Sequence, residues 1–145
     1  MVLWMSICEK GELDLRKIIE EVMSNKRFSE VGGIASFLGV VRSTSSKGEK
    51  ADHLEFEAYN GKVDEVLTKI SEDIKKRPGI VEVLIRHVVG KLRQGELIMA
   101  VVVAGKSRVD VFPALAEAVE RTKKEAPIWK KEVLSSGQAN WVSYK

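Results

Sequence analysis

The chain has a single cysteine, Cys8, in 145 residues. One thiol cannot form an internal disulfide, so a disulfide-stapled secreted scaffold is excluded and a reducing compartment is favoured. Cys8 follows an apolar run, which is typical of a buried structural thiol. There are only two histidines, His53 and His87, in separate predicted strands. Because they cannot complete a usual zinc site with one cysteine, we expect no metal site.

Long apolar runs and a strong excess of one charge are also absent. The longest apolar run, from Leu97 to Ala104, is too short to span a bilayer, and no secretory signal pattern opens the chain. These absences predict a soluble cytoplasmic protein. The 24 basic and 21 acidic side chains leave a net charge of +3, which is compatible with an anionic ligand. Because no basic stripe is evident, a nucleic-acid-binding domain is only a remote alternative.

Hydrophobic periodicity predicts three helices and seven strands in the order β-α-β-β-α-β-β-α-β-β. This order indicates an α+β fold, with the helices packed on a mixed or antiparallel sheet. We predict strands over residues 2–8, 32–42, 53–58, 80–89, 96–104, 128–134 and 141–144. Residues 43–50 are small and polar, which predicts a flexible loop. The chain shows no repeat or linker, so one domain is expected over residues 1–145.

Lys123 has an unusual position in the third predicted helix, for which Asp110 is the expected N-cap and Pro127 the end. The apolar stripe of this helix comprises Phe112, Leu115, Ala116 and Val119. At about 100° per residue, Lys123 falls about 20° from Phe112, inside that stripe. A lysine that lines a cleft there can act as a base, an acid or a nucleophile. The alternative is a lysine that buries its stem and keeps its ammonium group in water.

Other basic side chains lie near the ends of predicted elements. Lys130 and Glu132 share one face of a predicted strand, about 7 Å apart, where they could form a relay, a clamp or an ordinary surface pair. Arg42, at a strand end, could bind an anion through two hydrogen bonds. Arg108 lies near a helix N-terminus that could bind an anion, and Ser107 could simply cap that helix. Together these groups indicate a basic pocket for a small phosphorylated substrate.

Several segments resemble the large subunit of molybdopterin synthase. They are residues 37–42, 54–59, 86–92, 95–96, 127–132 and 141–142, in the order of that family. The resemblance covers the chain from about Gly32 to Val142. It implies an α/β-hammerhead fold and a sulfurtransferase of molybdenum-cofactor biosynthesis. Such an enzyme converts cyclic pyranopterin monophosphate into molybdopterin by installing two sulfurs as a dithiolene.

The resemblance also implies the partners. The sulfur arrives as a thiocarboxylate at the C-terminus of a small ubiquitin-like carrier subunit, whose tail threads into a pocket of the large subunit. No separate cofactor is implied, because the carrier donates the sulfur. The large subunit forms a homodimer within a heterotetramer. A non-catalytic module that docks the same carrier is the alternative function.

Position by position, the resemblance assigns catalytic roles to Lys123 and Lys130. Lys123 would manage proton transfer as the thiocarboxylate attacks the pterin side chain, and Lys130 would hold phosphate and developing negative charge. The substrate-binding residues implied are Val40, Val41, Arg42, Ser107, Arg108, Lys131 and Glu132. Ser107 replaces the histidine that is usual before Arg108, so any proton relay or phosphate contact through that ring is lost here.

Overall fold

The computed structural model of the chain describes residues 6–59 and 61–142. Within them the elements are β1 (Ile7–Glu9), α1 (Leu15–Met23), β2 (Gly33–Val40), β3 (Ala51–Ala58), α2 (Val63–Lys75), β4 (Ile80–Arg93), β5 (Leu97–Gly105), α3 (Arg108–Glu125), β6 (Ile128–Leu134) and β7 (Ala139–Val142). The predicted order of elements and the α+β class are confirmed. Residues 2–5 and 143–144 of the first and last predicted strands lie outside the described residues.

The strands form one sheet in the order β2-β5-β4-β3-β6-β7, with every neighbouring pair antiparallel. The short β1 pairs with β4 in parallel, so the sheet is mixed. β4 is longer than predicted because it has two antiparallel partners along its length. Residues 80–87 pair with β5, and residues 90–93 pair with β3. Gly90, with φ of +105°, lies where the second pairing begins.

Helices cover both faces of the central strands. Alternate residues of a strand point to opposite faces, so β5 contributes to two cores. Ala100, Val102 and Ala104 pack with α1, whereas Val101 and Val103 pack in the larger core with α2 and α3. This double coverage explains why β5 reads as a continuous apolar run. None of the helices in the described part of the chain is long and apolar enough to cross a membrane.

The buried face of α3 differs from the predicted stripe. The helix residues that are buried are Val111, Ala114, Ala118 and Thr122. Phe112 is 59% exposed, and Leu115 is only partly buried. α3 packs on β5 and β2 through small side chains, which permit a close approach. Asp110 is also not the N-cap, because α3 begins at Arg108, and Ser107 occupies the cap position.

Candidate active site

Three cationic side chains line one cavity of about 330 Å³, which we call the lysine cavity. Lys123 comes from the last turn of α3, Lys130 from β6, and Arg42 from the segment that follows β2. The apolar side chains of the lining are Phe37, Leu38, Val40, Leu54, Phe56, Ile98 and Met99. Cations that converge on an apolar lining are typical of sites for small anionic molecules.

The turn at Ala126 and Pro127 brings the two lysines together. A residue before proline disfavours the helical conformation, and Ala126 is extended, with φ of −69° and ψ of 129°. α3 therefore ends before this turn, and β6 begins directly after it. Lys123 and Lys130 reach the lysine cavity from opposite sides of the turn.

The surroundings of Lys130 perturb its ionisation. Burial lowers the pKa of Lys130, because the protonated form loses hydration. The negative charge of Glu132 acts in the opposite direction, whereas the positive charges of Lys123 and Arg42 lower this pKa further. The net effect is a lowered pKa, so the ammonium group gives up its proton more readily than that of an exposed lysine.

Glu132 shares the cavity with Lys130, but its carboxylate is bound elsewhere. The side chain is buried, with a relative exposure of 5%. Its Oε2 accepts a hydrogen bond from the backbone N–H of Ser46 at 2.8 Å, and its Oε1 accepts one from the Ser46 hydroxyl at 3.0 Å. The predicted lysine–glutamate pair is therefore a pair of neighbours, with the glutamate anchored to the loop between β2 and β3.

Two predicted substrate-binding residues lie away from the cavity. Val41 is buried, with 3% exposure, and its backbone N–H and C=O bond to Glu96 and Gly95. Lys131 points to the face of β6 opposite to that of Lys130 and Glu132. Its Nζ lies 3.5 Å from the Glu55 carboxylate and 5.3 Å from the ring centre of Trp141. Val40, in contrast, lines the lysine cavity.

Ser107 and Arg108 lie at the far end of α3 from Lys123. At 1.5 Å of rise per residue, Arg108 and Lys123 are about 22 Å apart along the helix axis. Neither Ser107 nor Arg108 is part of the lining of the lysine cavity. A single chain therefore does not bring these two residues to the lysines.

A second cavity, which we call the loop cavity, adjoins the first and measures about 610 Å³. Arg42, Lys130 and Glu132 line both cavities. The remaining lining of the loop cavity is Ser45, Ser46, Lys47, Glu49, Leu134, Asn140, Trp141 and Val142. The sequence did not predict that Ser45, Ser46, Lys47 and Glu49, from the loop between β2 and β3, belong to the site. The available signal was the run of small polar residues directly after Arg42.

Neither histidine lines the lysine cavity, and both contact neighbouring protein groups. His87 is fully buried, its Nδ1 lies 2.8 Å from the Val88 carbonyl oxygen, and its ring packs edge-on against Phe56, which lines the lysine cavity. Burial lowers the pKa of His87 to about 4. His53 lies between Asp52, at 2.7 Å, and Glu55, at 3.2 Å. Over the described ranges, no group of three or more His, Cys, Asp or Glu side chains could hold a metal ion.

Comparison with known families gives a clear match. The family model described as MoaE protein matches residues 8–125. The molybdopterin synthase catalytic subunit of Pyrococcus abyssi is 38% identical over 124 residues, which cover 86% of this chain and 82% of that protein. The molybdopterin synthase catalytic subunit of Ralstonia nicotianae is 36% identical over 134 residues, which cover 92% and 74% of the two chains.

Solved structures share the fold. Molybdopterin synthase from Staphylococcus aureus superposes with a TM-score of 0.84 and 28% identity, over 98% of both chains. A chain from a complex of subunits 1 and 2 of the molybdopterin-converting factor of Helicobacter pylori superposes with a TM-score of 0.74. That chain is 22% identical over 97% of this chain and 91% of its own length, so this likeness concerns the fold alone.

Proposed function

This chain belongs to the MoaE protein family, and on that premise we propose that it is the catalytic subunit of a molybdopterin synthase. The observation that carries the proposal is the convergence of Lys123, Lys130 and Arg42 on one partly apolar cavity. In this proposal the enzyme is a sulfurtransferase acting on cyclic pyranopterin monophosphate. The phosphate needs cationic partners, and the planar pterin suits an apolar lining.

The two lysines have different roles in the proposed reaction. Lys123 manages the proton transfer that accompanies attack of the thiocarboxylate sulfur on the pterin side chain. Lys130 and Arg42 hold the phosphate and the negative charge that develops in the transition state. The lowered pKa of Lys130 supports a second part for this residue, because an amine that exchanges its proton readily can serve as an acid or a base.

The sulfur donor in this proposal is a small ubiquitin-like carrier subunit with a C-terminal thiocarboxylate. A carrier tail must reach the lysines in extended form, and two adjoining cavities provide room for a tail and a pterin together. Arg42, Lys130 and Glu132 line both cavities, and in this proposal the two reactants meet beside them. This arrangement supports an enzyme that brings two substrates together.

We also propose a homodimer, in which Ser107 and Arg108 act in the site of the second copy. Arg108 cannot reach the lysines of its own chain, about 22 Å away along α3. The residues beside it on α3 include two exposed apolar side chains, Val109 at 71% and Phe112 at 59% exposure. Exposed apolar groups of this size favour a protein interface, and a dimer buries the same patch of both copies.

Reconstitution tests the proposed reaction. The protein is mixed with thiocarboxylated carrier and cyclic pyranopterin monophosphate, and dithiolene product is measured. We expect product from the parent and a loss of at least 100-fold with Lys123→Ala, because proton transfer typically contributes 10²–10⁴-fold.

The adjacent, exposed Lys124→Ala is the matched control and should retain activity. Full activity of Lys123→Ala would refute the role of that lysine. Absence of product from the parent, together with tight carrier binding, would favour the non-catalytic docking module.

A further inference from the structure

The loop of residues 43–50 is held by its own hydrogen bonds. Ser45 is buried, and its hydroxyl oxygen accepts hydrogen bonds from the backbone N–H of Lys47 at 3.3 Å and of Glu49 at 3.1 Å. A bridge between Thr44 and Lys50 closes the base of the loop. These contacts give the predicted loop the form of a compact turn, which makes up one wall of the loop cavity.

Hydrogen bonds between Ser46 and Glu132 attach this turn to β6 beside the lysine cavity. Ser46 donates its backbone N–H and its hydroxyl to the two carboxylate oxygens of Glu132. Both oxygens of this buried carboxylate are thus occupied, which offsets the loss of hydration that burial costs. Ser46 is not one of the predicted catalytic or substrate-binding residues, so its contact with Glu132 needs a separate explanation.

Glu132 has a competing partner within reach. Lys130 lies two residues earlier in β6, so both side chains point to the same face, about 7 Å apart at their Cα atoms. Both line the lysine cavity and the loop cavity, yet the described residues show no ion pair between them. The strand neighbours of Lys130 are Phe56 on β3 and Val142 on β7, which are uncharged. The charged groups that face Lys130 are Lys123, Arg42 and Glu132, with Lys47 and Glu49 on the adjoining wall.

We propose that Ser46 is a positioning residue that holds the Glu132 carboxylate on the loop and away from the Lys130 ammonium group. Lys130 is thereby left free to face the anionic substrate. The benefit to catalysis rests on the proposed function. The contact between Ser46 and Glu132 is observed in this chain and does not depend on that function. Ser46 acts through Glu132, and it touches no reacting atom.

The consequence of losing Ser46 follows from the chemistry of a buried carboxylate. Without the hydroxyl, Oε1 of Glu132 lacks this donor, and the Lys130 ammonium group, which lines the same cavities two residues earlier on β6, can replace it. An ion pair with Glu132 stabilises the protonated lysine and raises the pKa of Lys130. Loss of the Glu132 charge has the opposite effect, since that charge is what opposes the lowering caused by burial.

The test measures how Lys130 titrates, with no need for turnover. The free protein is labelled with acetic anhydride over a range of pH, and tandem mass spectrometry separates Lys130 from Lys131. We expect Ser46→Ala to raise the midpoint for Lys130 by about one unit and Glu132→Gln to lower it. Ser43→Ala, in the same loop but without a side-chain hydrogen bond among the described residues, should leave the midpoint unchanged.

A raised midpoint for Lys130 in Ser46→Ala, together with a lowered midpoint in Glu132→Gln, would establish the positioning role. Both shifts are expected only if Ser46 controls how closely the Glu132 charge approaches Lys130. An unchanged or lowered midpoint in Ser46→Ala would overturn it. Because the labelling uses neither the pterin nor the carrier, this result is independent of whether the proposed synthase reaction occurs. Circular dichroism of each variant checks that it is folded.

Discussion

His87 shows how a single buried residue makes stability depend on pH. It is fully buried beside Phe56, and burial lowers its pKa to about 4 from an ordinary value of 6.5. Between these values the unfolded chain binds a proton that the folded protein excludes. Stability therefore rises with pH from about 4 to 6.5 and is unaffected by this group outside that window. The total effect is about 3 kcal/mol.

We expect His87→Met, which cannot bind a proton, to remove this part of the pH dependence. Urea unfolding at several pH values between 4.5 and 7 gives the slope for each protein. The comparison uses the difference between the two slopes, because carboxylates such as Asp52 and Glu55 also titrate in acid. Equal slopes for parent and variant would contradict the prediction, even if the variant is less stable overall.

The small buried residues of α3 let this helix pack closely on the sheet. Ala118 is fully buried where α3 packs closely on β5 and β2, whereas Ala116 is exposed on the same helix. We expect Ala118→Leu to destabilise the fold by about 1–3 kcal/mol, because the added carbons have no space. The matched change Ala116→Leu should shift stability by less than about 0.5 kcal/mol.

Urea titration gives the free energy of unfolding of both variants. The comparison shows whether the predicted face or the observed face of α3 is the buried one. Ala116 belongs to the stripe that the sequence predicts, and Ala118 belongs to the face that the structure buries. A larger loss in Ala116→Leu would therefore favour the predicted stripe and contradict the observed packing.

Local signals determined which elements could be predicted. The bounds of β6 were predicted correctly because Pro127 precedes the strand and a serine-glycine turn follows it. The full length of β4 was missed, since residues 90–93 are strand only through their pairing with β3, a long-range contact. The buried face of α3 was missed because it uses alanine and threonine, while the larger Phe112 is exposed.

The site shows the same division. The fold places Lys123, Lys130 and Arg42 in one cavity, and Arg42 and Lys130 could be recognised because each stands in or beside an apolar strand pattern. Lys123 was singled out by its place in a stripe with Phe112, which the structure exposes, so the prediction for Lys123 was right in position although its reason was wrong. Lys131 and Val41 were carried over by resemblance, yet their side chains point elsewhere. The bond between Ser46 and Glu132 joins residues 86 apart in sequence, and no local pattern predicts such a contact.

The two ends of α3 carry predicted site residues that lie far apart in one copy of the molecule. Lys123 and Arg108 are about 22 Å apart along the helix. If both act on one substrate, a second copy must supply one of them. In the proposed homodimer, each site would combine Lys123 of one copy with Arg108 of the other.

Mixing two inactive variants tests this arrangement. Lys123→Ala and Arg108→Ala are each expected to lose most activity, since each damages both sites of a homodimer. In a dimer that carries one copy of each variant, one site receives both damaged residues and the other receives neither. Random pairing of equal amounts, by co-refolding, should therefore restore about a quarter of the parental activity. No recovery in dimers shown to contain both variants would place Arg108 outside the site of the second copy, and full activity of Arg108→Ala alone would remove it from the reaction.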